Sequence, residues 1–116
     1  MLFRSLNECA LLGFAQARKY EETVTALAEL SKASIEVVRP LMQSLRSEGV
    51  LVPCRVAGLR WDTVGAVLNA RFSSGAMAPE ELSKLRREFD GLTVDSALRL
   101  LKLWTVKSTS SGPTLN

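Results

Sequence analysis

Paired carboxylates and two thiols are the side chains of this 116-residue chain whose types could do chemistry. Glu21-Glu22 and Glu80-Glu81 each set two acids together, the kind of group that gives and takes protons in general acid/base catalysis. Both pairs, however, stand at the head of a helical pattern, where the positive end of the helix dipole favours carboxylates, and that placement accounts for them better than catalysis does. Cys9 and Cys54 lie far apart with no Cys-x-x-Cys spacing. Neither a disulfide framework nor a zinc site is indicated, and both thiols read as small core residues. The chain has no histidine, which excludes Ser-His-Asp and Cys-His mechanisms and His-ligated metals. No phosphate-cradling glycine loop, dinucleotide fingerprint or acidic calcium loop occurs. The expectation is a protein that catalyses nothing on its own and uses no cofactor and no metal.

The elements that would position any site follow from composition and periodicity. Apolar residues make up 47% and charged residues 23% of the chain, ordinary for a globular protein and too hydrophobic for a disordered one. The length suits one domain with one core. Aromatics are 6%, with four prolines and seven glycines, which points to helices rather than many short strands. The net charge of +3 is mild, because Lys and Arg are spread among the acids instead of forming a phosphate-neutralising run. No run of about 18 apolar residues and no secretion signal is evident, so the expected home is the cytoplasm with no membrane association.

Along the chain, apolar residues recur at helical spacing over residues 6–18 and 20–32. Ser34 suits an N-cap for a third helix, in which Pro40 predicts a kink or an early stop. Residues 50–57 are ambiguous: the apolar run fits a short buried helix with Pro53 in its first turn, or a strand. Gly58 suits a C-cap. Residues 61–72 predict another helix, 73–76 a loop, 79–91 a helix opened by Pro79, and Thr93 the cap of the last helix. Residues 1–107 form one helical domain on this reading, and 108–116 a disordered Ser/Thr/Gly/Pro-rich tail. The fold class is all-α: a compact bundle of about six to seven short helices arranged as helical hairpins.

One phrase repeats at helix starts. Ser34-Ile35-Glu36-Val37-Val38 precedes Leu41-Met42, Arg60-Trp61-Asp62-Thr63-Val64 precedes Val67-Leu68, and Thr93-Val94-Asp95-Ser96-Ala97 precedes Leu100-Leu101. Glu22-Thr23-Val24 with Leu27-Ala28 is a weaker fourth copy. Stacked helical hairpins sharing a core would produce such a pattern, as would amphipathic helices in general.

Three stretches carry a family resemblance: residues 18–24 (Arg-Lys-Tyr-Glu-Glu-Thr-Val), residues 51–64 (from Leu51-Val52-Pro53-Cys54 through Trp61-Asp62-Thr63-Val64), and residues 97–104 followed by Val106. Together they resemble the C-terminal part of the alphaproteobacterial proteins grouped as domain of unknown function 2336. The resemblance covers roughly residues 8–107. It implies a bacterial, cytoplasmic, helical domain, normally preceded by further helical sequence and without an assigned activity. Pro53 stands where the family favours an aliphatic residue and Arg60 where a capping Ser is usual, and residues 37–49 look more regularly helical than the family counterpart.

Two functions remain in view. The first is a protein-interaction or regulatory adaptor module with a protein partner or a second copy of itself, in which Trp61 and Trp104 are anchors, unless they serve the core, and Arg86, Arg87 and Lys102 contribute a basic face. The alternative is a winged helix-turn-helix DNA-binding regulator, in which Arg39, Gln43 and Arg46 enter the major groove and residues 50–61 form the wing. Pro40 and the modest charge weigh against the second.

Overall fold

The computed structural model describes residues 2–71 and 77–114, with side chains over 8–71 and 77–107. Among these residues there are seven helices and no strand: α1 (Leu2–Gln16), α2 (Tyr20–Ser31), α3 (Ile35–Gln43), α4 (Glu48–Val56), α5 (Trp61–Ala70), α6 (Pro79–Gly91) and α7 (Val94–Thr114). The fold is an all-α bundle. The expected loop at 73–76 lies outside the described residues, and the expected tail from Ser108 lies beyond the described side chains.

At the centre lies α4. Val50, Leu51, Val52, Pro53 and Cys54 are all buried, and α4 packs against α2, α3, α5, α6 and α7. Five consecutive buried residues, 50–54, leave no polar position inside the run to mark a helical period, which is why it reads equally well as a strand. The helix begins at Glu48, so Pro53 falls in its second turn rather than its first. In α3, Pro40 removes one helix hydrogen bond, and the helix stops three residues later at Gln43.

Two apolar clusters hold the helices. The main one runs through α1 to α6 and includes Leu11, Leu27, Val38, Val64, Leu68 and Phe89. A satellite of Val37, Val52, Ala97 and Leu101 lies between α3, α4 and α7. The expectation of one core is thus modified: Ala33, Leu41 and Leu92 border both clusters, but α7 is held by the smaller one.

The repeated phrase marks real helix starts. Lys19, Ser34 and Arg60 are extended N-cap residues, and Thr93 directly precedes α7. The fourth residue after each of these, namely Thr23, Val38, Val64 and Ala97, is 0% exposed. One turn further on, Leu27, Met42, Leu68 and Leu101 are buried too. Positions four apart share a helix face, so each copy aims one stripe inward. The caps place the weak copy one residue earlier than the sequence pattern does, beginning at Lys19.

The caps themselves differ. The Ser96 N–H donates to Thr93 Oγ1 at 3.1 Å, whereas neither Ser34 nor Arg60 supplies a side-chain cap. At α5 the acceptor comes from α1: Glu8 Oε2 accepts from the Arg60 N–H and the Thr63 hydroxyl, both at 3.0 Å. An Arg is thereby accommodated where a capping Ser would serve, because otherwise orphaned donors find a carboxylate on another helix.

Three turns between helices share one device. Arg18, Lys32 and Gly58 have φ of 61°, 59° and 72°. Each is followed by a residue whose N–H donates five positions back, Lys19 to Phe14, Ala33 to Ala28 and Leu59 to Cys54. Such a left-handed closure is ordinarily given to glycine, and here two of the three are basic residues.

Candidate interaction groove

The last helix does not hide all of its apolar surface. Ala97 and Leu101 are buried in the satellite cluster and Trp104 packs beside them. On the flanks and outer side, Val94, Leu98, Leu100, Leu103 and Val106 are 53%, 37%, 37%, 55% and 61% exposed. The expected anchor Trp104 therefore serves mainly to fasten α7 to α3 and α4.

Alongside α7 runs an open trough of about 680 Å³. Its walls are α7 and the C-terminal end of α2, with Val56 of α4 between them. Both walls pack on α4, which holds them apart. The apolar lining is Leu30, Val56, Leu98, Leu101 and Val106. Two hydroxyls border it, and both are turned back onto their own helices: Ser31 Oγ donates to the Leu27 carbonyl and Thr105 Oγ1 to the Leu101 carbonyl, each at 2.8 Å. The charges on the lining are Lys32 and Lys102, and both residues are exposed. Its chemistry is therefore that of an apolar surface with two cations at its edge.

The other residues singled out in the sequence lie elsewhere. Trp61, half-buried, stacks at 47° on Phe89 with ring centroids 5.8 Å apart. The Arg86 guanidinium lies 6.0 Å from the Trp61 ring, so these two expected interaction residues meet on α5 and α6, away from the trough. Below them Arg55 lies 4.0 Å over Phe89 and donates to the Phe89 carbonyl at 2.6 Å, joining α4 to the end of α6. Arg87 is exposed on α6. Of the five expected interaction residues, Lys102 alone lines the trough.

Of the residues named for the DNA alternative, Arg39 and Gln43 lie four apart on α3, whereas Arg46 is not on that helix. Arg39 forms an ion pair with Glu21 of α2 at 2.8 Å, and this hydrogen bond holds the Glu21 carboxyl below its ordinary pKa. Gln43 is the last residue of α3 and is exposed. Arg46 lies past the helix end, 3.6 Å from Glu48. Residues 50–56, offered as part of the wing, belong to buried α4. The loop between α3 and α4 is clamped by Arg71, which donates to the Met42 carbonyl at 3.0 Å, to Ser47 Oγ and to the Ser44 carbonyl. Burial lowers the Arg71 pKa from its ordinary value.

The chemically capable groups of the sequence are likewise dispersed. Glu21, Glu22, Glu80 and Glu81 are exposed in the first turns of α2 and α6. The first two border a shallow depression of about 350 Å³ on the outer side of α2. Cys54 is buried in α4 and burial pushes its thiol up to about 12, whereas Cys9 is exposed, contrary to the expectation of a core residue. Among the described residues, no three His, Cys, Asp or Glu side chains gather into a metal-holding group, and no helix is long and apolar enough to cross a membrane.

Sequence reasoning missed Leu30, Lys32, Val56, Leu98 and Val106. A signal for part of the set was present: over residues 97–106 α7 carries apolar side chains on more than one face, more than a single packed stripe requires.

The seven helices of the described residues, set around a buried hub with an apolar trough on one flank, define an all-α bundle domain. The family described as uncharacterised protein conserved in bacteria (DUF2336) matches residues 3–102, and the chain belongs to that family. The match takes in both lysines of the trough. No curated protein and no solved structure matches the chain.

Proposed function

We propose that this domain is a non-enzymatic protein-interaction module of the cytoplasm, an adaptor that receives a partner in the trough between α2, α4 and α7. The observation that carries the reading is the apolar lining beside the exposed side of α7, with Ser31 and Thr105 already satisfied. A contiguous apolar surface rimmed by charge is what a protein interface presents. A substrate site would instead need convergent polar groups. The DNA-binding alternative has less support, because Arg39 is engaged by Glu21 and Arg46 lies off the helix.

The test is site-specific photo-crosslinking in bacterial cells from positions 98 and 106, with Thr25 and Glu80 as control positions. The reading expects a discrete protein adduct from the two trough positions only. It also expects the adduct from position 106 to fall when Leu98 is changed to Glu. Adducts formed equally from all four positions, or from none, would sink it.

A further inference from the structure

We infer that the trough takes an amphipathic helix whose apolar stripe is flanked by carboxylates, with Lys32 and Lys102 as its two cationic clamps. The inference rests on the protein-interaction reading and names the class of partner.

Charge complementarity is the first argument. One lysine stands on each wall, Lys32 at the end of α2 and Lys102 on α7, and no carboxylate joins them on the lining. Among the described residues neither ammonium has an ion-pair partner. An apolar surface with unpaired cations on both margins is complementary to an apolar ridge with anions on both margins. The two hydroxyl protons that could be offered to a polar small molecule are already donated to backbone carbonyls.

Backbone strain supplies the second argument. Lys32 occupies the left-handed closure with φ 59°, where glycine escapes the clash that the Cβ of an L-residue makes with the backbone. Gly58 fills the equivalent place after α4. The third case, Arg18, uses its side chain within the fold, donating to the Asn69 carbonyl at 2.8 Å. Among the described residues the Lys32 side chain has no such contact, and Lys32 lines the trough. Strain kept for a side chain that does nothing inside the fold points to use outside it.

Shape decides between helix and acyl chain. The trough is about half open to solvent, and beyond its lining Leu103 of α7 is exposed as well. That form suits an amphipathic helix laid in a groove, whereas a lipid tail needs cover on all sides.

The experiment is fluorescence anisotropy of the full chain with a labelled synthetic peptide of about five helical turns, carrying a Leu stripe flanked by Glu, and with its twin in which Lys replaces Glu. The Glu peptide should bind, and the Lys twin should bind at least about tenfold more weakly. Lys32→Gly, which relieves the backbone and should melt no lower than the parent, should weaken the Glu peptide roughly fivefold. Lys102→Gln should do the same, and the double variant should remove most of the preference for Glu over Lys. Equal binding of the twins, or lysine variants without effect, would overturn the inference. So would saturable binding to phosphatidylglycerol vesicles in place of the peptide, or a dimer in sedimentation that buries both lysines. Trough-specific crosslinks with no Glu preference would leave the interaction reading standing and remove only the acidic helix. Absence of both would remove the two together.

Discussion

Helices α5 and α7 open with the same phrase and end in different surroundings. In α5 the two apolar residues about two turns into the helix, Val67 and Leu68, are both 0% exposed. In α7 their counterparts split: Leu101 is 4% exposed and Leu100 is 37% exposed. The inward stripe is a property of the helix alone, since spacing fixes which residues share a face. Whether the flanking apolar residues are core depends on neighbours. Among the described residues α5 packs mainly against α1, α2 and α4, with Trp61 on Phe89 of α6, whereas α7 packs mainly against α3 and α4.

Substitutions can break or sharpen that contrast. Leu68→Ala opens a cavity in the main cluster and should cost about 3–4 kcal/mol, read from chemical denaturation as one cooperative shift of the whole bundle. Leu101→Ala in the satellite should cost about 2 kcal/mol, and hydrogen exchange should locate the loss in α7 while α5 keeps its protection. Equal global losses from the two would show that the satellite is part of one core after all.

Cys54 reports on the hub beneath both helices. Unfolded, its thiol titrates at the ordinary value of 9.0, and folded at about 12. The raised value means that the full contribution is present below pH 9. Above it the unfolded chain loses the proton first, so stability should fall by about 1.4 kcal/mol per pH unit until the folded thiol also ionises. Cys54→Ala should lower the denaturation midpoint below pH 9 and flatten its decline above pH 9, so that the gap to the parent narrows as the pH rises. In the native chain, a thiol reagent should label Cys9 and leave Cys54 until unfolding.

The start of α5 offers a smaller effect. Glu8→Ala removes the acceptor for the Arg60 N–H and the Thr63 hydroxyl and should cost about 1 kcal/mol, the scale of a lost N-cap. The smallest change is expected at α7's outer side: Leu103→Ser should alter the denaturation midpoint by less than about 0.5 kcal/mol. A larger loss there would mean that Leu103 is covered within the fold.

Much of the fold was legible because helix boundaries carry local chemistry. Pro79 with Glu80 and Glu81, Ser34 before Ile35, and Thr93 before Val94 announce their helices within a few residues. Helix α4 was not legible, because a run buried on every side has no period to detect. Nor was the cap at α5, since Glu8 lies 52 residues from Arg60 and no local pattern links them. The trough depends on α2 and α7 being held apart by Val56, a tertiary fact. Lys32 reads in sequence as the last residue of the second helix, and its left-handed backbone angle, 59°, is what distinguishes it.

Borrowing a carboxylate from α1 has a practical corollary for anyone dissecting the domain. An isolated α5 peptide lacks the acceptor at its first turn, and so does any excised piece that begins after Glu8. Helices α1 and α5 therefore travel as a pair: a graft, a minimised version or a split-protein fragment that keeps one must bring the other.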